Sequence, residues 1–272
     1  MEIKILSSGA WEGIPAPFCN CKVCKFAREN SSSKENRTRT SIQVTNDNKS
    51  FLIEISPDIR LQSTKFNLLP INNFLISHWY FDRLYGLLEL DAVAKFIKKP
   101  TIYCSQKTGE WINKNLAHIQ RKLVILKPFH KFKLNEVMIT PLSLYHMFKE
   151  DKDLSVDYLE NTFGFLLENE NKKVAYLPDY FKIPEESVNL IKKSDALMAD
   201  GTYLFEEYFP NKPEQIGEKS DKNRLHGKQI FDVINLINSK KAIFHNISHL
   251  TEKTHKELQK MLPRNMMLST ME

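Results

Sequence analysis

The sequence predicts an α/β (α+β) fold in which two mixed β-sheets pack against each other and helices flank them. Short apolar runs of strand length come first, and strands and helix-length segments then mix to the end of the chain. Apolar residues make up 42% of the chain and charged residues 26%, the usual balance of a globular protein. Because no linker or change in composition divides the sequence, we expect a single domain over residues 1–272.

The predicted strands are short runs rich in apolar and β-branched side chains, bounded by turn residues. The first ends at Ser7-Ser8-Gly9, and the turn Asn46-Asp47-Asn48 joins the second and third. In chain order the strands are 3–6, 41–44, 51–55, 73–77, 101–104, 123–126, 137–144, 163–167, 174–177, 196–200 and 242–245.

The predicted helices carry apolar residues at helical spacing. They cover residues 59–67, 84–96, 109–119, 187–193, 226–237 and 251–261. Residues 9–24 contain glycines, prolines and three cysteines, which indicates an irregular loop. Residues 25–40 are polar and basic, and we expect a flexible loop there.

The net charge of +6 comes from many scattered lysines, with lysine pairs near element ends at 98–99, 172–173, 192–193 and 240–241. A nucleic-acid surface usually has a denser basic face with interleaved aromatic residues, so we expect no specific nucleic-acid binding. The N-terminal segment is too short and too charged for a secretory signal. No run approaches the ~20 apolar residues of a membrane helix, so we expect a cytoplasmic protein without membrane contact.

Cys19, Cys21 and Cys24 place three thiols within one short loop, a spacing that favours a zinc ion over a disulfide. We expect this zinc to be structural, in a zinc knuckle at 19–24. A structural zinc has four ligands, so the three cysteines need one more. Cys104 or any of the eight histidines is a candidate. The alternative is three buried thiols without metal.

Polar side chains that can bind metals or transfer protons follow the ends of four predicted strands. They are His78 with the nearby Asp82 and Arg83, then His146, Asp179 and His245. Strand ends are where folds of this class assemble their sites, so we expect these residues to converge.

The segment from His78 to Leu87 resembles the His-x-His-x-Asp-His and Gly-Leu motif of the metallo-β-lactamase superfamily. It reads His78-Trp79-Tyr80-Phe81-Asp82-Arg83, followed by Leu84-Tyr85-Gly86-Leu87. Ser8-Gly9-Ala10, Gly13-Ile14-Pro15 and the cysteines resemble one branch, that of the phosphonate-pathway cyclic phosphodiesterases and the pyrroloquinoline-quinone synthesis B proteins. The resemblance implies a metallo-β-lactamase αββα four-layer sandwich.

In that branch the three cysteines and a histidine just after the last strand hold a structural zinc. The resemblance therefore implies His249 as the fourth ligand, with one zinc per chain. Such a site links the N-terminal loop to the C-terminal strand, and a long-range link restricts the unfolded chain strongly.

The superfamily's active centre holds two metals, and this chain lacks three of the ligands. Tyr80, Arg83 and Asn246 stand where the motifs have histidines, whereas His78, Asp82, His146 and Asp179 remain. A guanidinium cannot bind a cation and carries its own positive charge. We therefore expect Arg83 to exclude a second metal and to pair with Asp82 or Asp179.

Two interpretations follow. In the first, His78, His146 and Asp179 hold a single zinc, manganese or iron ion, which suits phosphodiesterase-like hydrolysis or the iron hydroxylation of the quinone-synthesis type. Asp82 would orient the water, Arg83 would hold an anionic group of a small substrate, and His226 would be the general acid. In the second, the centre has no metal and binds a ligand or partner without turnover.

Members of this fold often form homodimers, so a homodimer is a possible oligomeric state of this chain.

Overall fold

The computed structural model describes residues 1–93, 98–146, 162–205, 225 and 227–270. Its first sheet has six strands in chain order: β1 (Glu2–Ser7), β2 (Ser41–Asn46), β3 (Lys49–Ile53), β4 (Asn73–Leu75), β5 (Thr101–Cys104) and β6 (Lys122–Ile125). The strands β1, β2 and β3 pair antiparallel, and β3 to β6 pair parallel, so the sheet is mixed.

The second sheet has seven strands and is also mixed. They are β7 (Phe132–Leu134), β8 (Val137–Leu144), β9 (Thr162–Asn169), β10 (Lys172–Leu177), β11 (Ala196–Asp200), β12 (Ala242–His245) and β13 (Met266–Leu268), in the order β13-β12-β11-β10-β9-β8-β7. Strands β7 to β10 pair antiparallel and β10 to β13 parallel. The carboxyl ends of the four parallel strands therefore share one edge.

The helices are α1 (Lys22–Glu29), α2 (Ile59–Lys65), α3 (Phe81–Leu84), α4 (Gly86–Ala92), α5 (Gln106–Asn115), α6 (Glu185–Ile191), α7 (Gly227–Ile237) and α8 (His255–Lys260). Side chains cap several of them. Ser105 accepts a hydrogen bond from the Thr108 amide at the start of α5, and Thr254 with Glu257 forms a capping box on α8.

Buried apolar side chains form one layer between the sheets and one on the outer face of each sheet. Phe51 and Leu75 of the first sheet pack with Phe165 and Met198 of the second in the central layer. Helices α2, α4 and α5 cover the first sheet, and α6, α7 and α8 cover the second. This arrangement confirms the predicted fold class of two mixed sheets flanked by helices.

Several predicted elements differ from the structure. Residues 25–40 were expected to be a flexible loop, but residues 22–29 form α1, because the Cys21 side chain accepts a hydrogen bond from the Cys24 amide and caps the helix. The expected helix over 84–96 is two helices, α3 and α4, and its last residues lie outside the described ranges. The three-residue strands β7 and β13 carry too short a pattern to be predicted.

Within the part of the chain that the structure describes, no helix has the length and apolar character needed to cross a membrane.

Candidate functional site

The polar residues predicted at strand ends come together between the two sheets, and they are buried. His78 lies beyond the end of β4, His146 beyond β8, Asp179 beyond β10, and Asn246 directly after β12. Parallel strands place their carboxyl ends at one edge, which explains why residues far apart in sequence meet here. We call these four residues, together with Asp82, Arg83 and Glu54, the central cluster.

Arg83 provides the positive charge of the central cluster. Its side chain is 2% exposed; Nη2 lies 2.6 Å from Asp179 Oδ2, and Nε lies 3.2 Å from Asp82 Oδ2. Burial alone would lower the pKa of Arg83, but the Asp179 and Asp82 carboxylates outweigh it and raise the pKa well above its ordinary value. The guanidinium is therefore a permanent cation between two carboxylates.

A close backbone approach positions Arg83. The Gly86 amide donates to the Ile55 carbonyl, and the Ile55 amide donates to the Arg83 carbonyl. A Cβ at position 86 would collide with the Ser56 carbonyl oxygen. Glycine at position 86 thus lets α3 and α4 pack tightly against the end of the first sheet.

The two histidines of the cluster lie beside each other. The rings of His78 and His146 have centroids 5.2 Å apart, and Tyr80 packs edge-on against both. His78 Nε2 lies 3.9 Å from Asp179 Oδ2, and Ser77 Oγ lies 2.8 Å from His78 Nδ1. Tyr80 therefore makes ring contacts with both histidines.

Asn246 is held by hydrogen bonds. Its Nδ2 donates to the Pro178 carbonyl at 3.3 Å and to Asp179 Oδ1 at 3.5 Å, while its Oδ1 accepts from Thr40 Oγ1 at 2.8 Å. Its φ of 56° is a left-handed conformation that asparagine tolerates better than most residues. Asn246 thus connects Asp179 to the first sheet by hydrogen bonds.

Glu54 is a cluster residue that the sequence analysis missed. It is fully buried, its Oε1 accepts from Tyr176 Oη at 3.2 Å, and its Oε2 accepts from the Ser77 amide at 3.3 Å. Burial raises the pKa of Glu54 to about 7, although the nearby Arg83 acts in the opposite direction. The sequence signal of this role is a glutamate inside the apolar run from Phe51 to Ile55, and the structure adds a left-handed φ of 66°.

His245 lies next to this group and is neutral at physiological pH. Its ring stacks on Tyr176 with centroids 5.0 Å apart, and its Nε2 lies 3.2 Å from the Leu177 carbonyl oxygen. Burial, with a contribution from Arg83, lowers the pKa of His245 to about 4. An uncharged His245 adds no further positive charge to the cluster.

The central cluster does not fit the superfamily's two-metal centre. Arg83 lies between the carboxylates of Asp82 and Asp179, and a guanidinium repels a metal ion. The described residues contain one group of three or more histidine, cysteine or acidic side chains whose donor atoms lie within 4.8 Å of one another, and it is not this group. A single metal held by His78, His146 and Asp179 stays a prediction, and the proposed general acid, His226, lies outside the described residues.

That one group is formed by Cys19, Cys21, Cys24 and His249. The Sγ atoms of Cys19 and Cys21 each lie 3.5 Å from His249 Nδ1. Bond lengths typical of zinc, in a tetrahedron, give a sulfur–nitrogen separation of about 3.6 Å. The four residues therefore fit a tetrahedral zinc ion.

The surroundings of the four residues also suit bound thiolates. The Ala16 amide donates to Cys24 Sγ at 3.3 Å, and the Cys24 amide donates to Cys21 Sγ at 3.4 Å. Burial raises the pKa of the Cys24 thiol to about 12, so a bound metal would have to displace protons.

Glu12 lies on the far side of the His249 ring. Its Oε1 is 3.8 Å from His249 Nε2 and accepts a hydrogen bond from Ser248 Oγ at 2.7 Å. Nδ1 faces the cysteines, so the proton of a neutral, metal-binding His249 would be on Nε2, facing Glu12. Glu12 has no motif around it and could not be identified from the sequence.

A family model described as a beta-lactamase superfamily domain matches residues 49–245. Among curated proteins, an octanoyltransferase of Porphyromonas gingivalis is 24% identical over 97% of this chain and 49% of its own length. The chain therefore spans about half of that relative. A coenzyme PQQ synthesis protein B of Methylorubrum extorquens is 27% identical over 75% of this chain and 74% of its own length.

Two solved structures have the same fold. Zinc-bound PqqB from Methylobacterium extorquens superposes with a TM-score of 0.82 at 23% identity, covering 99% of this chain and 98% of that chain. A diphosphatase from the PhnP family superposes with a TM-score of 0.78 at 21% identity, covering 98% and 93%. These matches agree with the sequence resemblance to this branch.

Proposed function

The chain belongs to the metallo-β-lactamase superfamily, and from that premise we propose that it binds a ligand at a metal-free centre instead of hydrolysing it. The observation that carries this proposal is the pairing of Arg83 Nη2 with Asp179 at 2.6 Å and of Arg83 Nε with Asp82 at 3.2 Å. The guanidinium, as part of the protein chain, supplies the positive charge that a bound catalytic metal supplies in other members of the superfamily. It cannot activate a water molecule as a metal does.

Charge balance supports a permanent role for Arg83. A buried ion that lacks a partner costs several kcal/mol, and each of the two aspartates has Arg83 within ion-pair distance. Glu54 has a pKa raised to about 7, so a large part of its population is uncharged at neutral pH. The cluster is therefore stable as an internal salt bridge without a metal.

The ligand we propose is small and carries an oxygen that accepts hydrogen bonds, such as a carboxylate or phosphate oxygen. Arg83 Nη1 is buried and has no hydrogen-bond partner among the described residues. A buried donor of this kind costs free energy until a ligand or water accepts a hydrogen bond from it. The small anion expected as a substrate would thus be bound at Arg83 without being hydrolysed.

Separately, we propose that Cys19, Cys21, Cys24 and His249 hold one structural zinc per chain. The tetrahedral spacing of their donor atoms supports this assignment. A zinc ion there would link the loop before α1 to the segment after β12 and would supply folding free energy.

One observation favours a second candidate, a phosphodiesterase-like hydrolase or an iron hydroxylase with a single metal. His78 Nε2 and Asp179 Oδ2 are 3.9 Å apart, so a small approach would bring them to the roughly 3.4 Å between two ligands of one tetrahedral metal. In this candidate Asp179 would exchange its contact with Arg83 for the metal. His146 would then move toward the same ion.

About half of the octanoyltransferase lies outside the region that matches this chain, so we propose no acyl transfer for this chain.

Metal content distinguishes the two candidates. The purified chain is loaded in turn with zinc, manganese and ferrous iron, dialysed, and measured by inductively coupled plasma mass spectrometry. We expect about one zinc per chain and no hydrolysis of bis-p-nitrophenyl phosphate above background. Two metals per chain together with hydrolysis would overturn the ligand-binding proposal in favour of the hydrolase.

A reverted variant tests the role of Arg83 directly. Tyr80→His, Arg83→His and Asn246→His together restore the three histidines of the superfamily motif, and this variant should bind additional metal. Tyr80→His and Asn246→His without the change at position 83 is the matched control. If the control binds as much metal as the triple variant, Arg83 does not exclude the metal.

A further inference from the structure

Three of the four lysine pairs in the sequence lie on one edge of the seven-stranded sheet. This edge is opposite the central cluster and is formed by the starts of the parallel strands. Its six side chains, which we call the lysine edge, are Lys172, Lys173, Lys192, Lys193, Lys240 and Lys241. Five of them are exposed and Lys173 is half-buried.

Backbone hydrogen bonds bring the three pairs together. The Asp195 amide donates to the Lys173 carbonyl at 2.8 Å, and the Lys240 amide donates to the Ser194 carbonyl at 3.0 Å. The Lys193 amide donates to the Ile237 carbonyl at 2.9 Å, which places the end of α7 at the same edge. Strand pairing thus fixes the positions of these lysines, whereas the sequence shows them only as scattered pairs.

Three acidic residues lie among the lysines: Asp195, Glu168, which is opposite Lys173 in the β9–β10 register, and Glu170 in the turn before β10. Asp195 Oδ1 pairs with Lys240 Nζ at 2.7 Å, and Asp195 Oδ2 accepts from the Lys173 amide at 2.8 Å. Six lysines against these three acidic residues leave the edge with a net positive charge.

Exposed apolar side chains lie at the same end of the sheet. Leu236 is 57% exposed near the end of α7, Met267 is 46% exposed in the edge strand β13, and Met261 is 37% exposed after α8. Methionine adapts its shape to different partners and is common on protein-binding surfaces. The exposed Arg264, just before β13, adds a further positive charge beside them.

We propose that the lysine edge is a docking surface for an acidic protein. Its charges are lysine ammonium groups, and the large exposed apolar side chains beside them are aliphatic. A single-stranded nucleic-acid surface would offer aromatic rings for base stacking. Carboxylates of an acidic partner would pair with the lysines while Leu236, Met261 and Met267 contact its apolar groups. A partner docked there would lie at the opposite ends of the same strands from the central cluster.

Two triple variants with equal net charge test this surface. The edge variant carries Lys172→Glu, Lys193→Glu and Lys241→Glu, one change from each pair. The control variant carries Lys98→Glu, Lys99→Glu and Lys114→Glu, at exposed positions on the six-stranded sheet and its helix α5. Each set removes six units of charge from the +6 of the chain, so only the position of the change differs.

Binding of fluorescein-labelled poly-L-glutamate is measured by fluorescence anisotropy at near-physiological salt, with a duplex DNA as the competing probe. We expect the edge variant to lose roughly tenfold in affinity for polyglutamate and the control to change by less than about twofold. Equal losses in both variants would show a general charge effect and overturn the proposal. Tighter binding of the DNA than of polyglutamate, lost in the edge variant, would instead assign the edge to nucleic acid.

A matching set of Lys→Gln substitutions keeps the test open if the edge variant does not fold. Exposed lysines contribute little to stability, so these neutral variants should unfold at the wild-type temperature. They should show the same loss of polyglutamate binding to a smaller degree. Unchanged binding in a folded neutral edge variant would also overturn the proposal.

Discussion

The molecule contains two groups of side chains of metal-binding types, and they differ in whether they include a positive charge of their own. At the N-terminal loop, three cysteines and His249 converge on one point with donor atoms within 4.8 Å of one another. At the central cluster, Arg83 lies between the carboxylates of Asp82 and Asp179. The segment after β12 contributes to both places, with Asn246 in the cluster and His249 beside the cysteines.

The difference shows how the source of positive charge separates the two sites. The four groups of the cysteine site contain no cation of their own, so a metal must supply the charge that would stabilise thiolates there. The central cluster receives its cation from the protein itself through Arg83. A site that contains its own cation has less to gain from a metal than one that does not.

The largest expected effect is on the cysteine site. Cys21→Ser should release the zinc and lower the free energy of unfolding by more than about 5 kcal/mol, because binding of a structural zinc contributes about 10–16 kcal/mol to folding. Zinc content and urea unfolding measure both effects. Cys104→Ser is the control, since Cys104 is buried in the core of the first sheet and should destabilise the protein while its zinc remains. If the Cys21→Ser variant retained its zinc, the assignment of a structural zinc site to the three cysteines and His249 would be wrong.

Removing the internal cation should have the next largest effect. Arg83→Met leaves Asp82 and Asp179 buried without their partner and should lower the free energy of unfolding by about 3–5 kcal/mol. Manganese or zinc should restore part of this loss, because a metal can then approach the two carboxylates. Thermal unfolding with and without metal measures it. Arg83→Lys keeps the charge but cannot contact both carboxylates as the guanidinium does. This variant should lose less free energy of unfolding, and added metal should not change its stability.

The titration of Glu54 gives a smaller effect that depends on pH. Its pKa rises from an ordinary 4.5 to about 7 on folding, so the native state holds more protons than the unfolded state between these values. Its contribution to stability is therefore present below pH 4.5 and is lost as the pH rises to 7, by roughly 3 kcal/mol.

His245 has the opposite dependence. Its pKa falls from 6.5 to about 4, so its contribution is lost as the pH falls from 6.5 to 4. Glu54→Gln should therefore leave a stability that rises between pH 4 and 6.5 and no longer declines toward pH 7. Urea unfolding across this range tests it, with Glu89→Gln, at a solvent-exposed position, as the control. A decline toward pH 7 that persists in Glu54→Gln would contradict the assignment.

The smallest effect concerns Glu12, whose Oε1 lies 3.8 Å from His249 Nε2. Glu12→Gln should weaken zinc binding by about 10- to 100-fold, as loss of a carboxylate behind a metal-binding histidine does. Competition with a chromogenic chelator measures the affinity. Glu252→Gln, at a residue whose carboxylate accepts a hydrogen bond from the Lys22 amide, is the control. Equal affinities of the two variants would show that Glu12 does not act on the zinc site.

Some of the central cluster could be predicted from the sequence, because it follows from the chemistry of single residues. Replacement of a histidine by Arg83 predicts an ion pair with Asp82 or Asp179, and the structure shows pairs with both. Glu54 could not be assigned in the same way. Its contacts with Ser77 and Tyr176 depend on how the strands align across the two sheets. Sequence spacing does not contain that alignment.

The sequence by itself determined the fold class, and it predicted that the strand-end residues converge and that Tyr80, Arg83 and Asn246 replace three metal ligands. These follow from local patterns and from the identity of side chains at motif positions. Only the tertiary structure decided that Arg83 is buried between two aspartates, that Glu12 lies behind His249, and that the lysine pairs share one edge. Each of these depends on distances between residues far apart in the chain, and packing alone sets those distances.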